Sequence, residues 1–228
     1  MNRELEIGGG RIALYGDPAA PLWFLQMVDD HDAGLMESEA EEIAGLAGGT
    51  GWCLAAVPVK DWNRDLTPWP APPVFGKEPF GDGAGETLRF LEEVLIPEVE
   101  TRFPAEGRRF CACGYSLAGL FALWAVHESG AFAGCAAVSP SVWYSGWLEH
   151  AAAKGCRAQQ VYLSLGDKEE KTRNPVMRTV GDAIREQYRL LQEAGVSCVL
   201  EWNPGNHFRD SDKRTARGIA WLAERCGL

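Results

Sequence analysis

The run RRFCACGYSLAGLFALWAV, residues 108–126, constrains the chain more than any other segment. An apolar strand-like stretch meets an apolar helix-like stretch with nothing between them but Gly114, Tyr115, Ser116, Leu117, Ala118 and Gly119. A turn that sharp needs small residues on both sides of the serine, so that strand and helix backbones approach without Cβ clashes. It lifts the Ser116 side chain out at the carboxyl end of a sheet, over the first turn of a helix. There the Leu117 N–H has no partner within the helix and is free to face a developing oxyanion. A glycine two residues after the serine is the usual pattern; here Ala118 stands there and Gly119 follows.

The rest of the chain repeats the strand-then-helix theme. Strands are expected at 21–28, 52–59, 108–115, 134–141, 159–166 and 196–202, and helices at 37–48, 86–103, 117–128, 146–154, 174–195 and 211–227. Residues 5–16 read as a hairpin around three glycines. This alternation predicts an α/β fold: a mostly parallel, twisted sheet with helices on both faces, in a single domain spanning 1–228. Residues 60–85 interrupt it, with five prolines and no regular period, and form a long loop of the kind that often carries function.

Bulk properties exclude several classes. A net charge of −10 argues against a nucleic-acid partner, which needs clustered Lys and Arg. No apolar run is long enough to span a membrane, and residues 1–16 lack the core of a secretory signal, so a cytoplasmic location is expected. Seven cysteines, most of them in apolar strands, suit reduced thiols. Cys111 and Cys113 form a CxC with no second pair at metal spacing, and no phosphate-binding glycine loop is present, so neither a metal nor a cofactor is expected.

A serine hydroxyl needs a base. His207, in NPGNHF directly after the strand at 196–202, occupies the place where the histidine of a Ser–acid–His order belongs. His127 reads as a helix-end residue and His150 as part of a surface helix. His31, among Asp29, Asp30 and Asp32, lies on the loop after the first core strand, which is the place for a second oxyanion N–H near Asp29. The acid belongs after the strand at 159–166, where Asp167, Glu169 and Glu170 are all compatible with the spacing. Aromatic loop residues at the expected carboxyl edge, Trp62, Trp69, Phe75, Trp143, Tyr144 and Trp147, with Tyr115, are candidates for a pocket. Trp23, Trp52, Trp124, Trp202 and Trp221 read as core, and Arg64 with Asp65 as a loop brace.

With these motifs the sequence resembles the putative esterase family of α/β-hydrolases, the group that includes enterochelin-esterase-like and S-formylglutathione-hydrolase-like enzymes. The resemblance runs from about residue 20 to the C-terminus. It is carried by NRDLTPWP (63–70), GETLRFLEEVLIPEVETRF (85–103), GYSLAGLFAL (114–123), AAVSPSVWY (136–144), LSLGDKEE (163–170) and GNHF (205–208). It implies an α/β-hydrolase fold without a large lid domain, and an acid three residues after the glycine that ends its strand, hence Glu169. It also implies a small-molecule carboxylic ester as substrate, hydrolysed without a cofactor. Acyl transfer by the same residues is the second reading, and a catalytically silent binding domain the third. The sequence leaves the oligomeric state open.

Overall fold

The computed structural model describes residues 3–47 and 51–227. Met1 and Asn2, part of the segment read for a signal, and Gly48, the expected end of the helix at 37–48, lie outside the described residues. An antiparallel hairpin, β1 (Arg3–Ile7) and β2 (Gly10–Gly16), opens the chain. Six further strands follow: β3 (Leu22–Val28), β4 (Trp52–Pro58), β5 (Arg109–Tyr115), β6 (Phe132–Val138), β7 (Gln160–Gly166) and β8 (Ser197–Asn203). The eight form one sheet in the order β1-β2-β4-β3-β5-β6-β7-β8, in which every pair from β4 to β8 is parallel.

The helices are α1 (Asp30–Ala33), α2 (Met36–Ala47), α3 (Trp62–Asp65), α4 (Ala84–Phe90), α5 (Ile96–Arg102), α6 (Ser116–Glu128), α7 (Trp147–Lys154), α8 (Val180–Glu193) and α9 (Ser211–Cys226). Alternate residues of each central strand feed two separate cores. Trp23, Leu25 and Met27 of β3 pack with α6, α7 and α8 on one face, while Phe24 and Val28 pack with α2 and α9 on the other. Burial on both faces is why the central strands read as unbroken apolar runs. The α6 helix is buried from Leu117 through His127, so it carries no amphipathic stripe.

Four local features depart from the sequence reading. The helix at 86–103 begins at Ala84 and widens to a π-turn over Leu91–Leu95, just before Pro97. Proline removes one donor and crowds the carbonyl four residues back, and a widened turn accommodates both. The loop at 60–85 contains the single-turn α3, capped by the Asp61 side chain, and an isolated bridge between Ala71 and Phe80. Trp202 is 38% exposed rather than core, because β8 is the sheet edge; the Arg185 guanidinium lies 4.8 Å from its ring. His127 is buried against Trp147, its Nδ1–H given to Leu123 O, and burial pushes its pKa down. It is therefore a neutral core residue, not a dipole partner.

Candidate active site

At the β5–α6 junction Ser116 adopts φ 57°, the left-handed region, which a residue with a side chain occupies at a cost of about 1–3 kcal/mol. The neighbouring small residues follow from this turn. A Cβ on Gly114 would come within 2.4 Å of the Ala118 carbonyl, and one on Gly119 within 3.0 Å of Gly114 O. The methyl of Ala118 is tolerated because Gly114 faces it; the space that matters is at 114 and 119.

His207 is held between two side chains. Its Nδ1 is 2.7 Å from Glu169 Oε2 and its Nε2 is 3.1 Å from Ser116 Oγ. With Nδ1–H donated to the carboxylate, Nε2 is left as the acceptor for the serine hydroxyl. Glu169 is 7% exposed, on the short 3₁₀ turn that follows β7. Its Oε1 accepts from Ser139 Oγ at 2.7 Å and from Gly166 N–H at 2.7 Å. Burial pushes its pKa up, but the hydrogen bond and charge of His207, with the Ser139 and Gly166 donors, outweigh this and hold it below the usual glutamate range.

The three acids of residues 167–170 thus part company. Asp167 Oδ1 accepts the Gly205 N–H at 2.8 Å and shapes the His207 loop, and Glu170 pairs with Arg185. Only Glu169 reaches the imidazole. The loop passes so close to β7 that a Cβ on Gly166 would lie 2.4 Å from Gly205 O.

Arg214 is the residue that sequence reasoning missed. It projects from α9, is 1% exposed, and its Nη1 lies 3.2 Å from Glu169 Oε1 and 3.1 Å from Tyr115 Oη. Its Nη2 donates to the carbonyls of Pro204 and Asn206, both at 3.2 Å. One guanidinium therefore ties the acid, the strand before Ser116 and the histidine loop together. Tyr115, expected to line a pocket, instead donates its hydroxyl to His207 O at 2.8 Å, and burial pushes its pKa up to about 12.

Beside His207 and Glu169 opens a cavity of about 460 Å³, walled on its apolar side by Trp143, Met177, Val180 and Phe208. Of the expected pocket aromatics, Trp143 lines this cavity. Trp69 donates its Nε1–H to Ser145 O and packs on Tyr144 and His150, and half-buried Trp62 packs against the larger core, so neither reaches it. Trp147 and Tyr144 are buried, and Phe75 packs edge-on against Phe80 and Trp143. Arg64 bridges Asp65 and Glu86, bracing the loop as expected.

On the other side of β5, Asp29 caps α1 by accepting the Asp32 N–H at 2.8 Å. His31 is exposed. Burial and the neighbouring Asp29 charge push Asp32 up to about 6, although His31 and His207 pull it down. Leu117 is the first residue after the serine on α6, where a helix leaves its amides unbonded.

A largely parallel sheet, covered on both faces and carrying a strained serine at its central strand-to-helix elbow, defines an α/β-hydrolase. Residues 53–200 match the putative esterase family, and the chain belongs to it; that span includes Ser116 and Glu169, while His207 lies just beyond. Ester hydrolysis is the activity of this class. Similar folds include siderophore hydrolase EstA from Aspergillus nidulans (22% identity, covering 99% of this chain and 94% of that one, TM-score 0.70). EstB from the same organism is also similar (20% identity, 100% and 96% covered, TM-score 0.72). So is the enterobactin esterase of Shigella flexneri (17% identity, 99% and 60% covered, TM-score 0.68). No curated protein is significantly similar to the chain in sequence. No helix among the described residues is long and apolar enough to cross a membrane.

Proposed function

We propose that the protein hydrolyses small-molecule carboxylic esters through an acyl-enzyme on Ser116, with His207 as the base and Glu169 as its orienting acid. The observation that carries this is the continuous hydrogen-bonded line from Glu169 Oε2 through the imidazole to Ser116 Oγ, with contacts of 2.7 and 3.1 Å.

In this mechanism His207 Nε2 takes the hydroxyl proton as Ser116 Oγ attacks the ester carbonyl. Glu169 holds the Nδ1–H tautomer and stabilises the imidazolium that forms. The tetrahedral oxyanion is received by the Leu117 N–H and an N–H of the loop at Asp29. Collapse expels the alcohol, which takes the proton from His207. Water then gives its proton to the same nitrogen, attacks the acyl carbonyl and releases the acid with Ser116 restored.

The test is turnover of 4-nitrophenyl butyrate by wild type and by Ser116→Ala. Wild type is expected to hydrolyse the ester and the variant to lose at least about a thousandfold in kcat. Equal rates for the two proteins would overturn the reading. Added methanol or hydroxylamine separates hydrolysis from transfer: butyric acid as the main product supports hydrolysis, and a dominant acceptor adduct marks a transferase.

A further inference from the structure

The cavity beside His207 is charged unlike the rest of the molecule. The chain carries a net charge of −10, yet Lys168 and Lys171 stand in the cavity wall, and Arg173 and Arg178 follow on the same exposed segment. Among the described residues none of these four cations pairs with a carboxylate. The nearby acids are occupied elsewhere: Glu169 by His207 and Arg214, Glu170 and Asp182 by Arg185. Asp167 turns to Gly205 N–H and is not in the wall.

Much of the remaining lining is apolar, Trp143, Met177, Val180 and Phe208, and one of these rings stands out in solvent. Phe208 is 88% exposed, set edge-on to His207 with ring centroids 5.5 Å apart. Cations facing a low-dielectric wall focus field into the cleft and favour an anion held there. The acids near the site, Asp29, Asp30 and Asp32, lie instead at the end of β3, across β5 from β7 in the strand order. The site therefore has a positive and a negative side with Ser116 between them.

We propose that this cavity receives a carboxylate of the substrate, so that the ester cleaved at Ser116 is one that bears its own negative charge. Ser116 is not part of the cavity wall, so the anion lies beyond the imidazole, separated from the scissile carbonyl by an apolar spacer lying on Phe208 and Trp143. The inference rests on the hydrolase reading given above.

Two matched pairs of esters test it. In 4-acetoxybenzoate and 4-acetoxybenzamide the charge is on the leaving group; in monomethyl glutarate and the methyl ester of glutaramic acid it is on the acyl group. We expect kcat/KM to favour the carboxylate at least about fivefold in one pair. The preference should shrink in 0.5 M NaCl, disappear in Lys168→Gln/Lys171→Gln, and invert in Lys168→Glu/Lys171→Glu. Ratios at or below one in both pairs, or a preference that survives the double substitutions, would overturn it. Labelling of Ser116 by a fluorophosphonate and turnover of 4-nitrophenyl butyrate are measured on the same preparations. If both are positive while the ratios are flat, the carboxylate site fails and the hydrolase reading stands; if both are absent, the two fall together.

Discussion

Glu169 and Glu39 are both buried, 7% and 3% exposed, the first on the turn after β7 and the second on α2. Their surroundings differ. Glu169 meets two hydrogen-bond donors on Oε1, a guanidinium at 3.2 Å and an imidazole at 2.7 Å, and its pKa is pulled down. Glu39 on α2 meets one weak donor, Gln26 Nε2 at 3.4 Å, and burial, reinforced by Asp32 and Asp212, pushes its pKa well up. Its Oε1 and the Gln26 Oε1 both lack donors among the described residues, an arrangement that a protonated Glu39 would satisfy. Burial with a single weak donor and acidic neighbours thus raises a carboxyl's pKa. A carboxylate kept charged in the interior needs a dedicated set of donors, and the residues that supply them to Glu169 come from three strand ends and a helix.

The contrast can be broken most forcefully at Glu169. Replacing it by Gln should cut kcat about 10³- to 10⁴-fold, because His207 loses the partner that fixes its tautomer, while Asp167→Asn should cost less than about tenfold. Steady-state kinetics on 4-nitrophenyl butyrate decides, and the reverse order would move the acid to Asp167. Arg214→Met comes next, with a loss of about ten- to a hundredfold in kcat. Without the cation Glu169 ionises at higher pH, so the acidic limb of kcat/KM should shift upward, and Arg214→Lys should recover part of both effects. An unaltered pH profile would leave Arg214 a packing residue only.

The third test uses stability, and its sign distinguishes the two glutamates. Glu39 has a raised folded-state pKa, so its protonated form favours folding and stability is lost as pH rises above the ordinary glutamate range. Glu39→Gln should gain about 1 kcal/mol at pH 8 and gain nothing near pH 4. Glu169 has a depressed pKa and stabilises above that range, a contribution lost as pH falls through its folded value, so the penalty of Glu169→Gln should fade on acidification. Urea melts at a series of pH values check both slopes, and parallel slopes would refute the comparison. The smallest effect is expected from Tyr115→Phe, which removes the bond to the His207 carbonyl and the one accepted from Arg214 and should lower kcat about three- to tenfold.

What could be read from the sequence follows the range of each interaction. The Ser116 elbow and the His207 loop are local patterns, small residues and turn formers beside a strand, and both were legible. Asp167, Glu169 and Glu170 are neighbours that only the turn after β7 separates, so choosing Glu169 took the family resemblance. Arg214 was invisible because Lys213 and Arg217 flank it on a helix that reads as a solvated charged face. A signal existed only in its spacing from Gly218 and Leu222, which share its buried face. Trp62 and Trp69 were assigned to the pocket by loop position, whereas the long loop folds back on itself and turns them elsewhere.

The most direct measurement is the second-order rate of fluorophosphonate labelling, with the adduct mapped by peptide mass spectrometry, in wild type and Glu169→Gln. One adduct is expected, on Ser116, formed at least about a hundredfold more slowly in the variant. An adduct on another residue, no adduct, or an unchanged rate in the variant would contradict it.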